Sequence, residues 1–223
     1  MRGLYAILDV TLLDARGIDV VAAARAIALA RPACVQLRAK DAGSGRTLAL
    51  LRALRSITRE AGSLLFANDR PDLALLAECD GVHVGQDDVP PALVKHLAAE
   101  AGRELLVGRS THNREELARA LDEPIDYVAI GPVATTASKT QLEPVLGVAE
   151  ARSLAEQAKR GRPGLPVCAI GGIDAGMAED LRTTFDLVAV ISALLGPDHD
   201  PRGISPRAAA FSNLFASNEA TSA

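Results

Sequence analysis

Short, nearly all-apolar runs alternate along this chain with longer stretches whose apolar residues recur at helical spacing. The runs at 4–8, 33–37, 64–67, 81–84, 105–107, 127–130, 167–170 and 187–191 read as strands. Their uniform hydrophobicity is that of parallel strands buried on both faces. Between them, 20–30, 46–60, 71–77, 90–100, 114–121, 148–159 and 177–181 predict helices, with Leu48, Leu51 and Leu54 on adjoining turns as an example. Asn113 and Asp174 are expected N-caps, and Ser205-Pro206 reads as an N-cap followed by proline at the first helical position. The last helix would dock Phe211, Leu214 and Phe215 on the outside of the fold, and the small, polar end at 217–223 is expected to fray.

About eight strand–helix units in 223 residues predict an α/β (β/α)8 TIM barrel. A single domain is expected over 1–223, with the last helix and tail at about 197–223. The competing architecture is a doubly wound open sheet. No Gly-x-Gly-x-x-Gly follows the first strand, where Leu8-Asp9-Val10-Thr11 stands instead, and this favours the barrel.

Composition removes several function classes. A net charge of −4 argues against a broad nucleic-acid footprint, and 3% aromatics with no Trp leave little to stack on bases. Cys34, Cys79 and Cys168 form no Cys-x-x-Cys pair and lie in or beside apolar runs, as small core residues of a reducing compartment do. The opening run is too short for a signal peptide and no stretch reaches transmembrane length, so a cytoplasmic protein is expected, with neither membrane nor nucleic acid as partner.

The remaining chemistry gathers at the carboxyl ends of the strands, where barrels keep their catalytic groups. In the second unit, period-two geometry places Gln36, Arg38 and Lys40 on one face and Val35, Leu37 and Ala39 on the other. The polar face should look inward. Two cations there call for an anion such as a diphosphate, or for internal carboxylates, of which Asp41 is one candidate. Asp69 and Asp88 end neighbouring units and suit a shared magnesium ion completed by water and phosphate oxygens. The bland alternative for each is an N-cap, ahead of Pro71 and Pro90 respectively.

Ser110 can hydrogen-bond a ligand. His83 and His112 lack a neighbouring nucleophile in any hydrolase pattern and are read as structural or as supports to other site residues, outside the catalytic set. The hydroxyl-rich run Thr135-Thr136-Ala137-Ser138-Lys139 suits a loop closing over an anion. Gly171-Gly172 allows close backbone approach, and with the end of the eighth strand it marks the phosphate site common in barrels.

Taken in order, YAILD at 5–9, QLRAKD at 36–41, NDR at 68–70, GVHVGQDD at 81–88, GRSTH at 108–112, DYVAIGPVATTASK at 126–139, AIGGI at 169–173 and VISA at 190–193 resemble the thiamine-phosphate synthase family. The resemblance runs from Tyr5 to about Leu195. It implies condensation of 4-amino-2-methyl-5-(diphosphooxymethyl)pyrimidine with 4-methyl-5-(2-phosphooxyethyl)thiazole, releasing diphosphate with the help of Mg2+. By motif, Gln36, Arg38, Lys40, Asn68, Ser110 and Lys139 would hold the pyrimidine diphosphate, with Arg38, Lys40, Ser110 and Lys139 as the catalytic set. Asp69 and Asp88 would bind magnesium. Thr136, Ser138, Gly172, Ile191 and Ser192 would hold the thiazole phosphate.

This chain departs from the family where Thr135 replaces the usual proline and Ser138 an often-found threonine. The partners implied are small phosphorylated molecules, and a homo-oligomer is compatible with the sequence. The rivals are a thiazole tautomerase-like barrel isomerase, which Arg109 before Ser110 mildly favours, and a non-catalytic barrel that binds a phosphorylated ligand.

Overall fold

A computed structural model describes residues 1–135, 144–196 and 200–216. In chain order the elements are β1 (Gly3–Asp9), α1 (Val10–Ala15), α2 (Val20–Ala28), β2 (Cys34–Arg38), α3 (Ser44–Ala61), β3 (Leu64–Asn68), α4 (Pro71–Leu76), β4 (Gly81–Val84), α5 (Pro91–Glu100), β5 (Leu106–Thr111), α6 (Arg114–Leu121), β6 (Tyr127–Ile130), α7 (Gly147–Gly161), β7 (Val167–Ile170), α8 (Ala175–Leu181), β8 (Leu187–Val190), α9 (Ser192–Leu195) and α10 (Ile204–Ala216). All strand pairs are parallel, and β8 returns to β1 to close an eight-stranded barrel. The barrel is therefore the architecture, and the open sheet is excluded.

Strand alternation divides the core in two. Val35, Leu37, Val82 and Val128 face outward and pack with helix residues such as Leu51, Leu54 and Leu154. Tyr5, Ile7, Cys34, Phe66, Tyr127, Ala129, Cys168, Leu187 and Ala189 fill the interior. Size is matched to space there: a Cβ on Gly108 would lie 2.0 Å from the Tyr127 ring, so this glycine makes room for the tyrosine. All three cysteines are free and buried, and burial pushes the Cys34 and Cys79 thiols up to about 12, leaving them unreactive.

The N-terminal face repeats one device three times. Asp80, Asp126 and Asp186 each immediately precede an even-numbered strand, β4, β6 or β8. Their carboxylates accept from the backbone N–H of Leu65 (2.8 Å), Val107 (2.7 Å) and Val167 (3.0 Å) on the preceding strand. Their own N–H groups donate back to the carbonyls of the same residues. A cation from the helix that leads into that preceding strand, α3, α5 or α7, completes each set: Arg55 at 2.7 Å, Lys95 at 2.6 Å and Lys159 at 3.5 Å.

Several local expectations change. Asn113 and Asp174 do cap α6 and α8. Ser205 does not cap: α10 already starts at Ile204, after a 3-10 turn at Pro201–Gly203 capped by Asp200. Phe211 and Phe215 are buried with Leu214 beside them, as expected of a docked helix. The sequence reading missed α1 and α9, each six residues or fewer and too short for a periodic signal. β5 runs on to Thr111, so Ser110 sits on the strand itself. No described helix is long and apolar enough to cross a membrane.

Candidate active site

Gln36 and Arg38 lie on the inward face of β2, as their alternation predicts, with Lys40 just beyond the strand end. The register sets Asp9 beside Arg38, and the two side chains form an ion pair. Asp9 also caps α1 by accepting from the Leu12 N–H at 3.0 Å. The internal carboxylate for Arg38 is thus Asp9, which sequence reasoning overlooked; Asp41 instead accepts from the Thr11 hydroxyl at 2.8 Å. Lys40 Nζ lies 3.4 Å from Asp69. The cations of this strand are therefore already balanced in part by internal acids.

Asn68 ends β3 opposite His83 of β4. The next residue, Asp69, has φ +62, a left-handed backbone that costs a non-glycine residue about 1 kcal/mol or more. Its N–H donates to the His83 carbonyl at 2.8 Å, which holds this conformation and turns the carboxyl towards Asp88. Burial, then the hydrogen bond and charge of Asp88, raise Asp69 to about 6 against the opposing pull of Lys40. Asp88 is held from the other side by the Gly85 N–H at 2.8 Å. Neither acid caps a helix: the N-cap positions of α4 and α5 are Arg70 and Pro90, with no side-chain cap.

Two facing acids, one of them raised by burial first and by its neighbour second, form a pair that a divalent cation would relieve. Among the described residues no cluster of three or more His, Cys, Asp or Glu side chains could hold a metal. The donor set therefore suits an ion that takes one or two carboxylates and completes its shell with water and phosphate oxygens, as magnesium does.

On β5, Ser110 Oγ is 2.8 Å from His83 Nε2, and the Ser110 carbonyl accepts from Gln86 Nε2 at 2.5 Å. Arg109 points the other way, towards the Gly85 carbonyl (2.5 Å) and Glu123 (3.2 Å), and so braces the loop after β4. His112 is tied to Glu116 through its backbone N–H and its ring, both at 2.8 Å, in keeping with a structural role.

Across the barrel, Gly171 and Gly172 have φ +97 and +67. A Cβ on Gly172 would lie 2.5 Å from the Thr135 carbonyl, and the Ala134 N–H donates to the Gly171 carbonyl at 2.9 Å. The start of the loop after β6 is thus strapped to the turn after β7. Ile191 and Ser192 follow at the end of β8, where Ser192 opens α9. Thr136, Ser138 and Lys139 lie outside the described residues.

A cleft of about 610 Å³ opens at the opposite end of the barrel. Four of its charged residues, Arg55, Asp80, Lys95 and Asp126, are the paired groups of the strand-start device, and it lies away from the C-terminal face where the motif residues gather.

A closed parallel barrel with its acids, cations and paired glycines at the C-terminal ends of the strands defines a (β/α)8-barrel enzyme with its polar machinery at one face. The sequence profile of thiamine monophosphate synthases matches residues 4–194 of this chain, and the chain belongs to that family. It is 42% identical over 166 residues to a thiamine-phosphate synthase of Thermus thermophilus, covering 74% of this chain and 76% of that protein. The Chloroflexus aurantiacus thiamine-phosphate synthase is 37% identical over 165 residues, with 74% and 72% covered. Among solved structures, the Pyrococcus furiosus thiamine phosphate pyrophosphorylase superposes with a TM-score of 0.80 at 29% identity, covering 95% and 94% of the two chains. Mycobacterium tuberculosis tryptophan synthase, at 16% identity and a TM-score of 0.67, shares the fold alone.

Proposed function

We propose that this barrel is a transferase that joins the hydroxymethylpyrimidine diphosphate to the thiazole phosphate, giving thiamine phosphate and diphosphate. The observation that carries the reading is the Asp69–Asp88 pair with Lys40 alongside, at the C-terminal face of a barrel of this family, a set whose chemistry suits a metal ion and an anion. Asp69 and Asp88 would hold Mg2+, which would supply charge stabilisation to the departing diphosphate. Arg38, Lys40 and Lys139 neutralise the same oxygens, with Asn68 beside them.

The carbon–oxygen bond at the pyrimidine methylene breaks with its electron pair leaving on diphosphate. The electron-rich aminopyrimidine, held by Gln36 and Ser110, bears the resulting carbocation until the thiazole nitrogen donates its lone pair to that carbon. Gly172, Ile191, Ser192, Thr136 and Ser138 seat the thiazole phosphate and present that nitrogen. No protein nucleophile takes part. Arg109 loses its value as a sign of the isomerase alternative, because it is turned out of the mouth.

The test is incubation of the purified protein with both substrates and magnesium, following thiamine phosphate and diphosphate together. Equimolar, magnesium-dependent release of the two products is expected. Absence of thiamine phosphate, with both substrates recovered intact, would defeat the reading.

A further inference from the structure

The chain has two tyrosines, and both lie inside the barrel with their hydroxyls in contact. They form the middle of an unbroken buried chain. Gln36 Nε2 is 2.9 Å from Tyr5 Oη, and Tyr5 Oη is 2.8 Å from Tyr127 Oη. Tyr127 Oη is 2.7 Å from His83 Nδ1, and His83 Nε2 is 2.8 Å from Ser110 Oγ. We propose that Tyr5, Tyr127 and His83 are positioning residues that fix Ser110 as a hydrogen-bond donor and Gln36 as an acceptor, and thereby select a 4-aminopyrimidine over its 4-oxo counterpart. The relay itself is read from geometry; its use in selection rests on the reaction proposed above.

Proton counting sets the direction. Burial holds both phenols well above their ordinary range, so each keeps the one proton it can donate. Gln36 presents its NH2 to Tyr5, and Arg38 and Lys40 follow on the same strand face, whose positive charge favours a carbonyl over an NH2 as the remaining end. Oε1 has no hydrogen bond among the described residues and is not one of the buried polar atoms without a partner, so it is open to a ligand.

With Gln36 donating to Tyr5, the Tyr5 proton goes to Tyr127 and the Tyr127 proton to His83 Nδ1. His83 is then the neutral tautomer with its proton on Nε2, and it donates to Ser110. The Ser110 hydroxyl proton is left for the mouth. A buried hydroxyl proton without an acceptor costs about 1–3 kcal/mol, which favours a ligand atom with a lone pair there.

A 4-aminopyrimidine offers a ring nitrogen acceptor beside an amino donor, the complement of Ser110 and Gln36 Oε1. The 4-oxo ring offers an N–H donor beside a carbonyl acceptor and meets like with like at both contacts. Reversal of one hydroxyl or of the imidazole tautomer would require every link to reverse, so the whole chain resists the wrong ring.

The test has two arms. In the unmodified, unliganded protein, 15N NMR of the imidazoles should show His83 protonated at Nε2 and bare at Nδ1; an Nδ1–H tautomer overturns the relay. In the second arm, kcat/KM is compared for the 4-amino and 4-oxo pyrimidine diphosphates in the unmodified protein, Tyr5→Phe and Tyr127→Phe. Either phenylalanine variant should narrow the amino preference about tenfold or more, since opposed buried contacts are worth factors of this size or larger. An unchanged ratio in a folded variant overturns the selection. If the unmodified protein turns over neither pyrimidine, the proposed reaction has failed, while the NMR arm still decides the relay.

Discussion

At the N-terminal face of the barrel, Asp80, Asp126 and Asp186 each have a backbone N–H to accept from and a helix cation alongside. At the C-terminal face, Asp69 and Asp88 are turned towards each other, with the Lys40 ammonium 3.4 Å from Asp69. The residue type is the same at both ends. What differs is the supply of partners: each strand-start acid has both a backbone donor and a cation, whereas Asp88 has the Gly85 N–H, Asp69 has Lys40, and the loops after the strands turn the two acids towards each other. Satisfied acids stabilise a fold, and acids forced together bind something else.

The largest expected effect comes from breaking the unsatisfied end. Asp69→Asn should lower magnesium-dependent turnover by about a hundredfold or more, the scale of losing a group that stabilises transition-state charge. Its thermal midpoint without magnesium should hold or rise, because a neutral side chain replaces a carboxyl whose ionised form is disfavoured. A variant with near-normal kcat/KM would remove Asp69 from the proposed metal site.

The mirror experiment is Asp126→Ala at the satisfied end. It leaves the Val107 N–H and Lys95 without their carboxylate, a loss of about 1–3 kcal/mol. That corresponds to a fall of roughly 2–12 °C in Tm for a chain of this size, with kcat/KM unchanged within about twofold. Loss of activity at full stability would mean that this end is more than a scaffold.

The smallest effect is a dependence on pH. Asp69 titrates at about 6 in the folded protein, above its ordinary value of 3.8, so the folded state holds this proton more tightly than the unfolded chain. The metal-free protein therefore gains stability as pH falls from about 6 towards 4 and loses it as pH rises through that window. Magnesium needs the ionised form, so its affinity should weaken about tenfold per unit below pH 6. Titration calorimetry at pH 5, 6 and 7 reads this slope, and a flat profile would show that the acids are not coupled through the ion.

Much of this was legible in the chain. Seven of the predicted strands lie within about two residues of the observed ones, because parallel strands buried on both faces leave continuous apolar runs. The fifth was predicted three residues long and extends to Thr111, since Arg109, Ser110 and Thr111 interrupt hydrophobicity but not pairing. The inward turn of Gln36 and Arg38 followed from period two alone.

A further signal went unread. Cys79-Asp80-Gly81-Val82, Ile125-Asp126-Tyr127-Val128 and Phe185-Asp186-Leu187-Val188 repeat an acid between an apolar residue and a strand start, and mark the supporting device as plainly as any active-site motif. The pairing of Asp9 with Arg38 left no local trace, since it depends on the register of two strands 29 residues apart.

The sequence by itself determined the barrel, the face on which polar residues would collect, and the order of motifs that assigns the family. All of these rest on periodicity and on residue types close together in the chain. Only the tertiary structure decided which charges meet: Arg38 with Asp9, Asp69 with Asp88, and Gln36 with Ser110 through two tyrosines and a histidine. Those contacts join residues up to 122 positions apart, and barrel closure brings them within hydrogen-bonding distance, where the Coulomb and desolvation energies are set.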